Sequence, residues 1–243
     1  MEKIFDLIFT GGNLSLPEGI KKTSLATKNG KIAAIGNIDI NLANKHIDIK
    51  GLNLLPGVID SQVHFREPGL EHKETLDTGT KAALLGGVTS IFEMPNTSPS
   101  TTNEPALKDK LNRAKNKAWT NYAFFIGATP HNAKNLDKLE KLDSCVGIKI
   151  FMGSSTGKLL VPDDKSLSTA LSSCNRRVAI HSEDQERLDE RFEKFKDNQN
   201  INNHINWRDE KTAIISTKRI LEIAQKNNCK LHVLHISTAD EIE

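Results

Sequence analysis

The stretch LLPGVIDSQVHFREPG, residues 54–69, runs from an apolar segment into a cluster of polar side chains. Its apolar half predicts a strand near 54–60, and side chains alternate between the two faces of a strand. If the strand continues, Asp60, Gln62, His64 and Arg66 project to the same side. A carboxylate, an amide, an imidazole and a guanidinium on one face indicate an active-site face. The alternative is an ordinary polar strand end, which is common for a single histidine.

From residue 54 onward, apolar strands alternate with helical stretches. This alternation predicts βαβ units and a parallel sheet. The strands are expected near 54–60, 88–94, 120–126, 146–151, 177–181 and 230–235. The helices are expected near 75–86, 104–116, 133–141, 164–173, 184–195 and 209–226.

The residues before this region have a different pattern. Short strands are expected at 6–9, 24–27, 31–35 and 46–49, separated by glycine-containing turns. We therefore predict two domains, a small β-rich domain at 1–53 and a larger α/β domain at 54–243.

Composition limits the classes of function. The 243 residues are 37% hydrophobic and 26% charged, with a net charge of +2, which argues against a nucleic-acid or membrane-surface partner. The sequence has no run of 18 apolar residues and no signal-peptide pattern at its start, so we expect a cytoplasmic protein. Its three cysteines are far apart and predict neither a disulfide framework nor a thiolate zinc site.

Three further polar residues stand on or at the ends of apolar strands. His181 and His235 each follow an apolar run, at the carboxyl end of a predicted parallel strand, where active sites of α/β folds lie. Lys149 lies inside the apolar strand GIKIF, where an ammonium loses its hydration unless it is paired or neutralised. Taken singly, each histidine is more often structural, and the lysine has the alternative of reaching solvent from the strand end. As a set with His64, the two histidines indicate a metal site.

Five motifs give a family resemblance: HFREPG at 64–69, EMPNT at 93–97, GIKIFMGSSTG at 147–157, AIHSED at 179–184 and LHVLHIST at 231–238. In this order and spacing they resemble those of dihydroorotases, within the metal-dependent amidohydrolase superfamily. The resemblance implies a TIM-type (β/α) barrel. About six of its eight βα units are present, so we expect an incomplete barrel that is a fragment or is completed by another polypeptide. Gly153–Gly157 is expected to form a flexible loop over the site.

The resemblance also implies a ligand set for two zinc ions. His64, Lys149, His181 and His235 match metal ligands, with Lys149 carboxylated and bridging the two ions. Gln62 stands where the family has a histidine, so the ion nearest His64 is expected to bind weakly. Asp60 is expected to orient a ligand. Arg66 and Asn96 match the groups that hold the substrate carboxylate, and a guanidinium suits that bidentate task. The family's catalytic aspartate has no counterpart up to residue 243, so no catalytic residue is assigned.

The implied reaction is the reversible cyclisation of N-carbamoyl-L-aspartate to dihydroorotate, in pyrimidine biosynthesis. The small-molecule substrate is then the main partner, with a second copy of the chain or another pyrimidine-pathway enzyme as further possibilities. An alternative is a non-catalytic dihydroorotase-like fragment or structural partner, which Gln62 favours. Allantoinase and hydantoinase are also considered, although Arg66 favours a substrate with a ring carboxylate.

Overall fold

The computed structural model describes residues 2–155, 159–197 and 200–243. The chain divides into two compact units, Met1–Gly57 and Val58–Glu243. The sequence analysis placed this boundary between residues 53 and 54.

The first unit consists of two small β-sheets. Its strands are β1 (Phe5–Thr10), β2 (Asn13–Leu16), β3 (Gly19–Lys22), β4 (Ser24–Lys28), β5 (Lys31–Gly36), β6 (Ala43–Asp48) and β7 (Asn53–Leu54). One sheet has the order β5-β4-β1-β6 and the other the order β3-β2-β7. Ile8, Ala26 and Ala43 are buried in one cluster, and Leu14, Leu25 and Ile49 in another.

The sequence analysis missed the β2–β3 hairpin. All four residues of β3 are exposed, so this strand has no buried apolar face that would mark it in the sequence. Leu54 was assigned to the first barrel strand, which is wrong, because it belongs to β7 and pairs with Leu14 of β2.

The second unit is an incomplete TIM-type (β/α) barrel, which confirms the predicted fold class. Its six parallel strands neighbour one another in chain order, from β8 to β13. They are β8 (Val58–Val63), β9 (Val88–Glu93), β10 (Asn121–Gly127), β11 (Cys145–Phe151), β12 (Val178–His181) and β13 (Leu231–Val233). The helices are α1 (Leu76–Leu85), α2 (Glu104–Ala114), α3 (Leu136–Leu139), α4 (Asp164–Ser173), α5 (Gln185–Phe195), α6 (Asn203–Trp207) and α7 (Glu210–Lys226).

The core of the second unit lies between the strands and the helices. Ile148 and Ile150 of β11 share one buried cluster with Leu107 of α2, Leu167 of α4 and Ile220 of α7. Lys149 lies between the two isoleucines in the sequence and therefore points to the opposite face of the sheet. The two isoleucines of β11 therefore face the helices, and Lys149 lies on the inner face of the sheet.

The first barrel strand differs from its prediction in position and in extent. It covers Val58–Val63 rather than 54–60, and its pairing with β9 shifts register between Asp60 and Val63. Because the strand ends at Val63, the predicted alternation does not extend to His64 and Arg66. Arg66 has a φ of 72°, in the left-handed region, so its side chain is directed by a turn and not by a strand.

The predicted helices are present with small shifts at their ends, except near 133–141. There a 3₁₀ turn at Ala133–Asn135 precedes the short helix α3. Helix α6 was not predicted, because its sequence NHINW is too short to show an apolar period. No helix among the described residues combines the length and the apolar character needed to cross a membrane.

Candidate metal centre

The predicted ligands lie toward the carboxyl-terminal ends of four parallel strands. His181 is the last residue of β12, and Lys149 lies two residues before the end of β11. His64 follows β8 directly, and His235 lies two residues beyond β13. These strand ends meet at one face of a (β/α) barrel, the face where active sites form.

Lys149 is buried without a partner. Its side chain is 1% exposed, and Nζ makes no hydrogen bond to any described residue. Its Nζ lies 4.7 Å from the centroid of the Phe151 ring. Burial lowers the pKa of Lys149 to about 7, which makes the free amine accessible near neutral pH. Lys149 can therefore act as a nucleophile or as an uncharged ligand precursor.

His181 and His235 face each other. His181 Nδ1 lies 3.1 Å from His235 Nε2, and the ring centroids are 5.0 Å apart. Burial, followed by the charge of His181, lowers the pKa of His235. A neutral imidazole keeps a lone pair for a metal ion, so this pair has the form of two ligands aimed at one point.

Glu183 fixes the other side of the His181 ring. Its Oε2 lies 2.7 Å from His181 Nε2 and also accepts a hydrogen bond from Arg208. Burial raises the pKa of Glu183, but the hydrogen bond with His181 and the charge of Arg208 outweigh it, so the pKa is lowered overall. A carboxylate on one ring nitrogen orients the other toward a metal ion.

His64 pairs with Asn96 rather than with the other histidines. His64 Nδ1 lies 2.9 Å from Asn96 Oδ1, and an amide oxygen only accepts, so Nδ1 carries the hydrogen and Nε2 is left as the ligand atom. Burial, followed by the charge of Arg66, lowers the pKa of His64 to about 4. Asn96 thus orients His64, a contact that the sequence did not indicate.

Asn96 and Arg66 also leave donors available for a ligand. Asn96 is 1% exposed, and its Nδ2 makes no hydrogen bond within the described residues. Arg66 Nη1 lies 3.4 Å from the carbonyl oxygen of Asn96, so the two predicted substrate-binding groups are neighbours. Asp60 was expected to orient a ligand; among the described residues its hydrogen bond is to the backbone N–H of Gln62, at 3.0 Å from Oδ1.

We tested whether these residues fit a metal ion. Within the described ranges, no three His, Cys, Asp or Glu side chains form a group for one ion. The 3.1 Å separation of the His181 and His235 nitrogens is close to the roughly 3.3 Å between two nitrogens on a tetrahedral zinc with bonds of about 2.0–2.1 Å. A third ligand must come from another group, and a carboxylated Lys149 would supply it. These residues therefore fit a metal ion if Lys149 is carboxylated.

A pocket of about 510 Å³ opens beside the two histidines. Its lining includes His181, Glu183, Arg208, His235 and Thr238. Sequence reasoning missed Glu183 and Arg208. Glu183 lies two residues after His181 in the motif AIHSED, which was a usable signal, whereas nothing in the sequence around Arg208 pointed to the site. The predicted loop Gly153–Gly157 is described only to Ser155, and Thr156 and Gly157 lie outside the described residues.

Comparison with known families and proteins gives a dihydroorotase-like family model but allantoinases and hydantoinases among the similar proteins, so it does not single out the dihydroorotase assignment of the sequence analysis. Residues 51–137 match the family model described as "Dihydro-orotase-like". An allantoinase of Escherichia coli (strain K12) is 32% identical over 252 residues, covering 98% of this chain and 55% of the relative. An allantoinase of Deinococcus radiodurans is 32% identical over 243 residues, covering 96% of this chain and 53% of the relative. The chain spans about half the length of these relatives.

Solved structures give the same fold. An L-hydantoinase (dihydropyrimidinase) from Arthrobacter aurescens matches with a TM-score of 0.88 and 26% identity, covering 98% of this chain and 55% of that one. A dihydropyrimidinase from Brevibacillus agri matches with a TM-score of 0.85 and 26% identity, covering 100% of this chain and 53% of that one.

Proposed function

We propose that this chain is a metal-dependent amidohydrolase whose site serves hydrolysis of cyclic amides; the dihydro-orotase-like match at residues 51–137 and the similarity to allantoinases and hydantoinases support this. The observation that carries the proposal is Lys149, a buried amine near the end of β11 that has no hydrogen-bond partner among the described residues. An uncompensated buried ammonium is costly, so the site calls for chemistry that changes its charge.

Carboxylation is that chemistry. The neutral Lys149 amine forms an N–C bond to carbon dioxide and releases one proton, which gives a carbamate of charge −1. Its pKa of about 7 makes the free amine available at neutral pH. A carboxylated Lys149 would hold zinc together with His181, His235 and His64.

Each remaining residue has a role that follows from its contacts. A bound zinc ion would lower the pKa of water and polarise the amide carbonyl. Glu183 keeps the His181 ring turned toward His235. Asn96 fixes the orientation of the His64 ring through its hydrogen bond with Nδ1. The free donors of Arg66 and Asn96 suit an anionic or carbonyl group of the substrate.

Two cyclic-amide substrate classes compete. Dihydroorotate, the product of N-carbamoyl-L-aspartate cyclisation, is supported by Arg66 and by the unused amide donor of Asn96, which together suit a ring carboxylate. An allantoin- or hydantoin-type ring is supported by the 32% identity to allantoinases and by the hydantoinase-like structures. A non-catalytic role is supported by Gln62, which stands at a ligand position of the family.

The test is a substrate panel. Initial rates of ring opening would be measured for dihydroorotate, allantoin, hydantoin and dihydrouracil, with zinc and bicarbonate, for the wild-type chain and for His181→Ala and Arg66→Gln. Opening of dihydroorotate that both substitutions abolish supports the dihydroorotase assignment. Opening of an uncharged ring that only His181→Ala abolishes supports the second class. No ring opening above the His181→Ala rate would contradict catalysis by this chain and support the non-catalytic role.

A further inference from the structure

Glu183 makes two contacts through one oxygen. Its Oε2 accepts from Arg208 Nη1 and lies 2.7 Å from His181 Nε2. A carboxylate beside an arginine can only accept, so His181 Nε2 carries the hydrogen of the neutral ring. The Nδ1 lone pair is then directed at His235.

Arg208 makes its other contact on a different loop. Its Nη2 donates to the carbonyl oxygen of Ser154 at 2.8 Å, just after β11, the strand of Lys149. Ser154 is held from the other side, because its backbone N–H and its hydroxyl both lie 2.7 Å from Gln185 Oε1. The planar guanidinium therefore joins the segments that follow β11 and β12, a task that suits its fixed fork of donors.

Arg208 is itself held in place. Its guanidinium lies 4.6 Å from the centroid of the Trp207 ring, and Trp207 Nε1 donates to the carbonyl oxygen of Leu188 at 3.0 Å. On its other side, Asp209 caps helix α7 and pairs with Arg187. Anchored neighbours before and after Arg208 restrict its backbone, so its two hydrogen bonds form with little loss of freedom.

We propose that Arg208 is a positioning residue: it holds Glu183 against His181 Nε2, keeps the hydrogen of the ring on that nitrogen and thereby leaves the Nδ1 lone pair toward His235, while it also binds the carbonyl oxygen of Ser154. The inference rests on the proposed function only in taking His181 and His235 as metal ligands. It assigns a role to the segment around helix α6, which neither the motifs nor the ligand set includes.

The first test needs no metal. The tautomer of His181 would be read from ¹⁵N side-chain chemical shifts in the metal-free chain at a pH where the ring is neutral, with His181→Ala assigning the signals. The wild-type ring should be in the Nε2–H form. Arg208→Leu should shift part of the population to the Nδ1–H form, because Glu183 is then free to turn away.

A matched control is Arg191→Leu. Arg191 belongs to the same region and donates to the carbonyl oxygen of Asn206, but it has no recorded contact with Glu183 or Ser154. It should leave the His181 tautomer as in the wild type. If Arg208→Leu does not fold, Arg208→Lys replaces it, since one ammonium lacks the fork that holds Glu183 and Ser154 together. A wild-type tautomer in the folded Arg208 variant overturns the proposal.

Zinc affinity is the second readout. Loss of an outer contact to a ligand typically costs about 10–100-fold in metal affinity, so a competitive chelator titration should show such a loss for Arg208→Leu. Arg191→Leu should stay within about threefold of the wild type. If the wild-type chain binds no zinc but Arg208→Leu still alters the tautomer, the proposed metal function is refuted and the positioning role stands. An unaltered tautomer would refute the positioning role alone.

Discussion

The Glu93–Lys110 pair permits a quantitative prediction. Lys110 Nζ on α2 lies 2.7 Å from Glu93 Oε2 at the end of β9, and both side chains are 0% exposed. At an effective dielectric constant of about 20, this separation gives an attraction of about 6 kcal/mol. Lys110 also donates to the carbonyl oxygen of Met94 at 2.9 Å, which connects α2 to the turn that carries Asn96.

We predict that Lys110→Met lowers the free energy of unfolding by about 3–5 kcal/mol, because Glu93 is left buried without a counter-charge. Burial raises the pKa of Glu93 above its usual value of 4.5, against the charge and hydrogen bond of Lys110 and a backbone hydrogen bond from Arg66, which lower it. In the variant, the unfolded state releases this proton near pH 4.5 while the folded state retains it. The loss of stability should therefore grow as the pH rises above about 4.5.

Urea unfolding at several pH values would measure this effect. Lys108→Met is the matched control: Lys108 lies on the same helix but is 69% exposed, and its pairing with Glu104 should contribute less than about 1 kcal/mol. Adding Glu93→Gln to Lys110→Met should recover most of the loss, because no buried charge remains. A loss below about 1 kcal/mol at pH 8, or one equal to that of Lys108→Met, would refute the reasoning.

Three further predictions concern metal binding and the loops. Gln62→His should raise zinc affinity by at least about tenfold in a chelator titration, since imidazole replaces an amide at a ligand position; an unchanged affinity would remove Gln62 from the ligand set. Gly69→Ala should destabilise the chain by more than Gly51→Ala in thermal unfolding. Both glycines have positive φ, but a Cβ at Gly69 would collide with the backbone of Ser98, whereas one at Gly51 meets nothing within 4 Å; equal losses would refute the collision. Asp209→Ala should cost about 1–2 kcal/mol at neutral pH through loss of the α7 cap. The hydrogen bond from Arg187 keeps the pKa of Asp209 well below its usual range, so the difference from the wild type should shrink as the pH falls below about 4; a pH-independent difference would contradict this role.

The barrel region was predictable because its signals are local and repeated. Each strand of the second unit is an apolar run bounded by turns, and an N-cap residue marks several helix starts, such as Thr75, Asn103 and Asp163. The exposed strand β3 and the five-residue helix α6 were missed, because neither has the buried periodicity on which such reasoning depends.

Within the site, the sequence indicated single residues but not the contacts between residues that are far apart along the chain. His181 and Lys149 stand in apolar strands, so their sequence context marks them as unusual. The contact of Asn96 with His64 and that of Arg208 with Glu183 join residues 32 and 25 positions apart, and only the folded chain brings them together. The prediction that His64 and Arg66 lie on the same strand face as Asp60 was wrong. The strand ends at Val63, and the left-handed backbone at Arg66 breaks the alternation.

The most direct measurement is ¹³C NMR of the chain incubated with ¹³C-bicarbonate and zinc, compared with Lys149→Met under the same conditions. A buried amine that becomes a metal-bridging carbamate predicts one protein-bound carbamate resonance in the wild type that zinc strengthens and that the variant lacks. Wild-type and variant spectra without any difference would contradict a carboxylated Lys149, and with it the account of this site as a metal-dependent hydrolase.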